Sequence, residues 1–470
     1  MKKVKILLLS LASSVGAFAT DFDVTPGNLS AILPDGGKGQ TEIKLKGHID
    51  ARDLAAFENL SSDVKTLDLK EVRIDGFSTR ERIYFGRTLF NENEIPGYTF
   101  FNIDVEKLIL PENLQIVGDG AFAGSKIKSL TLPDGVLSIG DYAFYGCKGL
   151  KEVVLPSSLK KIGKGSFGNC VELESIDLTA TGITEIPSQT FAGAVNLFQV
   201  IMPASVSKIG REAFTHTKIE TLDLSRVVEF EEYALSGMPF VKTLAINPEA
   251  RINEGLLMDN VSLVSLSGTP DLLPDYFVAN CVSLPTKTGM TATSLGKYSL
   301  ANTLSPETLI MTGTISDISR GALSGLGNIK TIDVTALEGN LPVVDEFSFE
   351  GLDQSAISLL TTEESISQWE ADPYWSRFNI VGSQSSSVDK IGTGEADGPT
   401  IKYAAGELVI ESGSILTNVR IYTADGRVAY IASPEIEKMT IATSSLPSGI
   451  LVVTASDASG NTKTASLLLK

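Results

Sequence analysis

The chain is poor in the side chains that carry most protein chemistry. Its 470 residues include two histidines, three cysteines and two tryptophans, and 39 basic residues stand against 57 acidic ones. The histidines, His48 and His216, lie in different segments with no partner at a metal or triad spacing. HExxH, GxSxG, P-loop and strand-turn-helix GxGxxG patterns are missing as well, so no cofactor is implied and no catalytic site is assigned. Three cysteines in so long a chain make no disulfide framework. A net charge of −18 repels phosphate backbones and anionic membranes, which removes nucleic acid from the expected partners. After the first twenty residues no stretch has the roughly 18 unbroken apolar residues of a membrane helix.

The N-terminus, MKKVKILLLSLASSVGAFAT, has a basic start (Lys2, Lys3, Lys5), an apolar run and an A-x-A site. It reads as a signal peptide cut between Ala19 and Thr20. No cysteine stands at the cut to take a lipid. The expectation is an exported chain, at the cell surface or outer membrane or free outside the cell.

What the sequence does have is a period. Phenylalanine recurs at Phe100, Phe122, Phe144, Phe167, Phe191 and Phe214, weakens to Leu235 and Leu257, and continues as Phe277, Leu300, Leu323 and Phe349. After each comes a polar turn and then a short alternating segment: LILP, LTLP, VVLP, IDLT, VIMP, LDLS, IDVT. Alternation marks a strand with two side chains inward and one outward, and proline ends it for want of an N–H. The Ile-Gly pairs before each Phe (Ile139-Gly140, Ile162-Gly163, Ile209-Gly210) bury an aliphatic and then turn. One coil cannot cover its own Phe and Leu; a stack covers a continuous ladder of them. A period near 23 residues therefore predicts a repeat solenoid in the leucine-rich-repeat range, with short parallel strands, irregular return segments, about twelve rungs and a body on the order of 55 Å long. Cys147, Cys170 and Cys281 fall in the column that holds Ser125, Ala194 and Thr217, and read as small buried hydrophobes.

The columns IG-x-x-AF and L-x-x-L-x-LP, over residues 95–381, resemble the BspA-like class of bacterial leucine-rich repeats. TEIKLKGHIDARDLAAFENLSSDVKTLDL (41–69) is similar to that family's N-terminal cap. ISQWEADPYWSRFNI (366–380) is similar to its C-terminal cap, in which Trp369, Trp375 and Phe378 cover the last rung. The resemblance implies a surface protein of anaerobic Gram-negative bacteria that attaches to host matrix proteins or other bacteria. A Gly/Ser-rich linker follows (382–400), and then five or so short strands (401–470) that predict a small β-sandwich, with turns at Asp425-Gly426 and Ser459-Gly460-Asn461. VRIYTADGR, LPSGILVV and the terminal Lys470 in that segment resemble the C-terminal sorting domain of type IX secretion. The expected order is thus signal peptide (1–19), cap and first strand with an insertion (20–94), solenoid with its C-terminal cap (95–381), linker and sandwich.

Two surfaces are candidates for binding. The outward strand position reads Ile109, Thr131, Val154, Asp177, Ile201, Asp223, Ala245, Ser265, Ile310 and Asp333, of which Asp177, Ile201, Asp223 and Asp333 are the leading ligand contacts. The insertion IDGFSTRERIYFGRTLFNENE (74–94) adds Arg80, Arg82, Tyr84 and Arg87, a basic, aromatic patch of the kind enriched at interfaces. The expected function is adhesion by a monomer to a protein or glycan ligand. The alternatives are a surface spacer, or a polysaccharide-acting β-helix enzyme, for which the three aspartates are too far apart in the chain to make a glycosidase pair.

Overall fold

The computed structural model describes residues 19–83, 87–286, 292–383, 399–404, 407–423, 428–447, 449–458 and 462–469. They form two compact units, one ending at Ser383 and one beyond it. Of the expected signal peptide, residues 1–18 lie outside the described residues, as do 384–398 of the expected linker and both of the expected C-terminal turns. Ala19 and Thr20 open the first strand, Ala19–Val24.

The first unit is a solenoid of stacked parallel strands. Successive L-x-L segments pair in register: Leu130 with Val153, Asp177 with Ile201, Ile310 with Asp333. Most rungs contain a second, two-residue strand where the sequence predicts only a turn; at Lys161 and Val343 it is reduced to a single bridge. Ile116–Val117, Ser138–Ile139 and their successors form a second layer of parallel pairing, divided into sheets of three and four strands, with Ile186 opposite Ile209 and Ile209 opposite Phe230. Where a glycine follows, as at Gly118, Gly140, Gly163 and Gly210, neighbouring backbones touch: a Cβ on Gly163 would stand 2.3 Å from the carbonyl carbon of Gly140. Outward residues of this second layer alternate in sign across rungs, Glu185, Lys208, Glu229 and Arg251. Lys208 bridges Glu229 at 3.2 Å and Glu231 at 2.8 Å.

Phe122, Phe144, Phe167, Phe191 and Phe214 are fully buried and stack face to face, with centroids 5.2–5.9 Å apart from Phe100 to Phe214. The rings stay nearly parallel at first (3° between Phe122 and Phe144) and open to 23° between Phe191 and Phe214. Two backbone columns frame this ladder. The residue two before each Phe and the residue two after are left-handed in rung after rung: Tyr142 (φ 55°) and Gly146 (68°), Gly165 (59°) and Asn169 (54°), Glu212 (53°) and His216 (60°).

These columns correct one assignment. Phe277 does not hold the ladder position; Val278 does. Leu257 N–H donates to Phe277 C=O and Val278 N–H donates to Ser299 C=O, the pattern that places the following residue in the ladder of regular rungs. Left-handed Tyr276 and Asn280 flank Val278 accordingly. Phe277, also buried, fills the place that Ala121 or Ala143 takes elsewhere. A similar slip affects Ser265, which pairs with Thr243; Ser267 is the residue opposite Ala245 on the outward ladder.

Both ends of the stack are covered. At the N-terminal end the buried Asp53 carboxylate accepts N–H bonds from Gly27, Leu29 and Asp50, tying the helical turn Leu29–Ile32 to the helical turn Ala51–Leu54. At the C-terminal end Trp375 lies between Phe349 (4.8 Å) and Trp369 (4.9 Å), with its indole N–H on Pro342 C=O. Without such covers the last ladder residues would face water.

The second unit is a small antiparallel β-domain. Its 17-residue strand Glu407–Thr423 pairs through its first half with Thr400–Ala404 and Ile436–Ala442. Through its second half it pairs with Val428–Ala432 and Gly449–Asp457. One continuous sheet thus runs through that strand, around a core of Leu408, Ile410, Val419, Ile421 and Val453.

Candidate ligand-binding surfaces

The outward strand face mixes short hydroxyls with exposed aliphatics and a few charged or amide side chains. Ser129 and Thr131, Glu152 and Val154, Ser175 and Asp177, Gln199 and Ile201 project from successive strands, and Val154 and Ile201 are 49 % and 41 % exposed. The aspartates on this face have a structural task. Asp177 Oδ1 accepts from Thr179 N–H (2.8 Å) and hydroxyl (2.6 Å). Asp223 does the same for Ser225, and Asp333 for Thr335. In the rungs that carry Ile109, Thr131, Val154 or Ile201, the residue two further on is a proline and has no N–H to satisfy. These hydrogen bonds hold the Asp177 and Asp223 carboxyls below the usual range.

The insertion forms an antiparallel hairpin, Phe77–Ile83 with Arg87–Phe90. Arg80 is exposed on it. The side chain of Arg82 and all of Tyr84 lie outside the described residues. Arg87 is committed inward: its guanidinium grips the buried Glu94 carboxylate with bonds of 2.7 and 3.2 Å and lies 4.8 Å from the Phe90 ring. Burial pushes the Glu94 carboxyl up, but Arg87 and Asn91 outweigh it and leave it low.

A third surface was not anticipated. On the turn layer, the residue just after the ladder position is Tyr145 in one rung, then Gly168, Ala192, Thr215 and Ser236, then Met258. Where that column is small an open groove of about 570 Å³ appears, lined by Gln189, Glu212, Thr215, His216, Tyr233 and Ser236 and closed at its ends by Tyr145 and Met258. Side-chain volumes read along this column, rung against rung, would have revealed it.

The geometry of stacked two-strand rungs is matched at sequence level by the model for the BspA type leucine rich repeat region, over 93–181, 117–242, 167–285 and 258–376, together more than half of the chain. The chain belongs to this BspA-type leucine-rich repeat family. No curated protein matches it. Among solved structures, a leucine-rich repeat protein from Bacteroides ovatus is similar with a TM-score of 0.51 and 20 % identity, covering 74 % of this chain and 85 % of its own. The pneumococcal vaccine antigen PcpA aligns at 0.42 and 16 %, over 69 % and 87 %. A leucine rich cell surface protein from Faecalibacterium prausnitzii aligns at 0.34 and 17 %, over 65 % and 91 %.

Within the BspA-type rungs, Cys147, Cys170 and Cys281 are buried, unbridged thiols. Each donates to the ladder carbonyl of the preceding rung: Phe122, Phe144 and Leu257, at 3.0–3.1 Å. Burial pushes Cys170 well up and Cys281 to about 12, so both stay protonated. His48 pairs with Asp75 at 3.0 Å on the surface. Among the described residues no group of three or more His, Cys, Asp or Glu is placed to hold a metal, and no helix is long and apolar enough to cross a membrane.

Proposed function

We propose that this BspA-type protein is an exported binding protein, an adhesin that acts as a monomer and holds a protein or glycan of the host matrix or of another bacterium on its strand face. The observation that carries the reading is the composition of that face. Short hydroxyls and exposed aliphatics run in register over many rungs, whereas the second layer uses its surface for paired charges. From Thr131 to Ile201 that face offers a partner apolar area and adaptable hydrogen bonds, whereas its N-terminal strands pair Lys44 with Glu71 and Lys46 with Asp23. Membership of a family of repeat proteins supports binding over catalysis, and the signal-like N-terminus supports a surface or extracellular location. Arg80 and Arg82 remain on the hairpin as a second, smaller contact.

The C-terminal β-domain is read as the sorting signal. Its V-R-I-Y motif lies in the central strand, where Val419 and Ile421 are core residues and Arg420 and Tyr422 alternate with them. A chain cut after residue 383 should then be retained inside the outer membrane; its arrival at the surface would exclude the sorting role.

The binding test uses residues 20–470 against immobilised host matrix proteins and bacterial glycans. One variant carries Thr131→Arg, Val154→Arg and Ile201→Arg, and a second carries Arg80→Ala and Arg82→Ala. Saturable binding that the first variant loses and the second keeps supports the strand face. Loss in the second alone moves the site to the hairpin, and no binding anywhere leaves a surface spacer.

A further inference from the structure

We propose that the turn-layer groove between Tyr145 and Met258 is a subsite for a neutral oligosaccharide, separate from the strand face. Its volume is that of a small-molecule site. Its apolar element is aromatic and fixed. The Tyr145 ring, 41 % exposed, rests against Gly168, where a Cβ would meet Cδ2 at 3.0 Å, and its phenol oxygen accepts from Asn169 at 2.6 Å. The Tyr233 ring rests on Gly255 in the same manner, and its hydroxyl donates to Glu254. Arg211 lies over the Tyr233 ring at 6.0 Å, so the Tyr145 ring is the aromatic surface offered to the C–H side of a pyranose.

The polar groups suit sugar hydroxyls. Both carboxylates of the groove are already engaged: Glu212 accepts from Gln189 at 2.8 Å and from Arg211 at 3.4 Å, and Asp259 accepts from Asn280 at 2.8 Å. Asp259 keeps its charge, since Asn280 is a neutral donor; both carboxylates still have lone pairs that accept from a sugar hydroxyl, and their sign turns away an anion. Thr215 and Ser236, 3.5 Å apart, both donate and accept. The exposed His216 ring bonds to no other described residue, and its left-handed backbone fixes where the ring starts. Hydroxyl, amide and carboxylate groups of mixed donor and acceptor character beside the Tyr145 ring match a sugar and disfavour an anion; hexa-arginine is the control for a basic peptide.

The chain's two histidines make the test direct. In the full exported chain labelled with 15N-histidine, His216 reports on the groove and His48, held by Asp75, is an internal reference. The probes are cello-, manno- and chito-hexaose, with hexa-arginine and a hexagalacturonate as charged controls. One neutral saccharide should shift the His216 ring signals saturably and leave His48 unmoved. Thr215→Tyr, which fills the groove, and Tyr145→Ala, which removes its ring, should each weaken that shift at least tenfold while both variants keep the wild-type melting profile. The proposal is overturned if no neutral saccharide moves His216, if the shift survives Thr215→Tyr, or if hexa-arginine moves it more strongly. The strand-face triple arginine variant should retain the His216 shift, so failure of the adhesion reading and failure of this one are told apart.

Discussion

The Tyr142 ring lies across Gly165 of the next rung, so close that a Cβ on that glycine would stand 2.5 Å from two of its ring carbons. The same relation joins Tyr98 to Gly120, Tyr233 to Gly255 and Tyr298 to Gly321. Because Gly165 is also left-handed (φ 59°), it is constrained twice. Gly165→Ala should destabilise the solenoid by roughly 2–4 kcal/mol, part backbone and part steric. Added to a Tyr142→Ala background, the same change should cost only the backbone part, about 1–2 kcal/mol. Denaturant titration of the four chains measures both, and an equal cost in the two backgrounds would show that the ring plays no part.

Asp177 and Thr179 make the second prediction. In three rungs that have no proline after the strand, Asp177, Asp223 and Asp333 each accept the N–H, two residues on, that proline would lack. Asp177→Ala should cost about 0.5–1 kcal/mol at this exposed turn. In a Thr179→Pro background it should cost almost nothing, since the orphaned donor is gone. A cycle with no coupling between the two positions would return Asp177 to the list of free binding groups.

The ladder and its period were readable in the chain because every rung faces the same burial problem and the rungs from Phe100 to Phe214 solve it with the same ring. The second layer was hidden because a two-residue strand is shorter than the alternation that betrays a strand. Phe277 misled for a related reason: hydrophobicity cannot tell a ladder position from its buried neighbour, whereas Tyr276 and Asn280, in the two left-handed columns, could have settled it. Asp177, Asp223 and Asp333 looked like ligand contacts because outward carboxylates usually are uncommitted. The complementary pattern of Asp-x-Thr/Ser and x-x-Pro was present in the same segments. The groove could not be seen in any one repeat, since it exists only where four small residues stack between two large ones.

Arg87 and Glu94 predict a pH dependence with a definite sign. The Glu94 carboxyl is held low in the fold, so the pair's stabilisation is complete above the unfolded value near 4.3 and fades as pH falls through the lower folded value. Arg87→Met leaves a buried carboxylate with only Asn91 beside it, which should cost roughly 1–3 kcal/mol at pH 7. Burial then raises the Glu94 carboxyl above its unfolded value, and protonation in the fold relieves the strain. The deficit relative to wild type should therefore shrink as pH drops from 7 toward 4. Thermal melts across that range test this, and a deficit that is flat or grows on acidification contradicts the assignment. Glu94→Gln should remove most of the difference.

The thiols give the last prediction. Cys147, Cys170 and Cys281 are buried and donate to ladder carbonyls, and Cys281 is pushed to about 12. At pH 8 the native chain should react with a thiol-disulfide reagent only as fast as it opens, and all three cysteines should label together in denaturant. Each thiol also satisfies a carbonyl, so the replacements should rank by that ability. Cys170→Ser keeps a donor and should hold stability within about 1 kcal/mol, whereas Cys170→Val removes the donor, crowds the column and should cost more, about 1–3 kcal/mol. If valine is the better tolerated of the two, the column selects for apolar volume and the thiol's hydrogen bond contributes nothing to the rung.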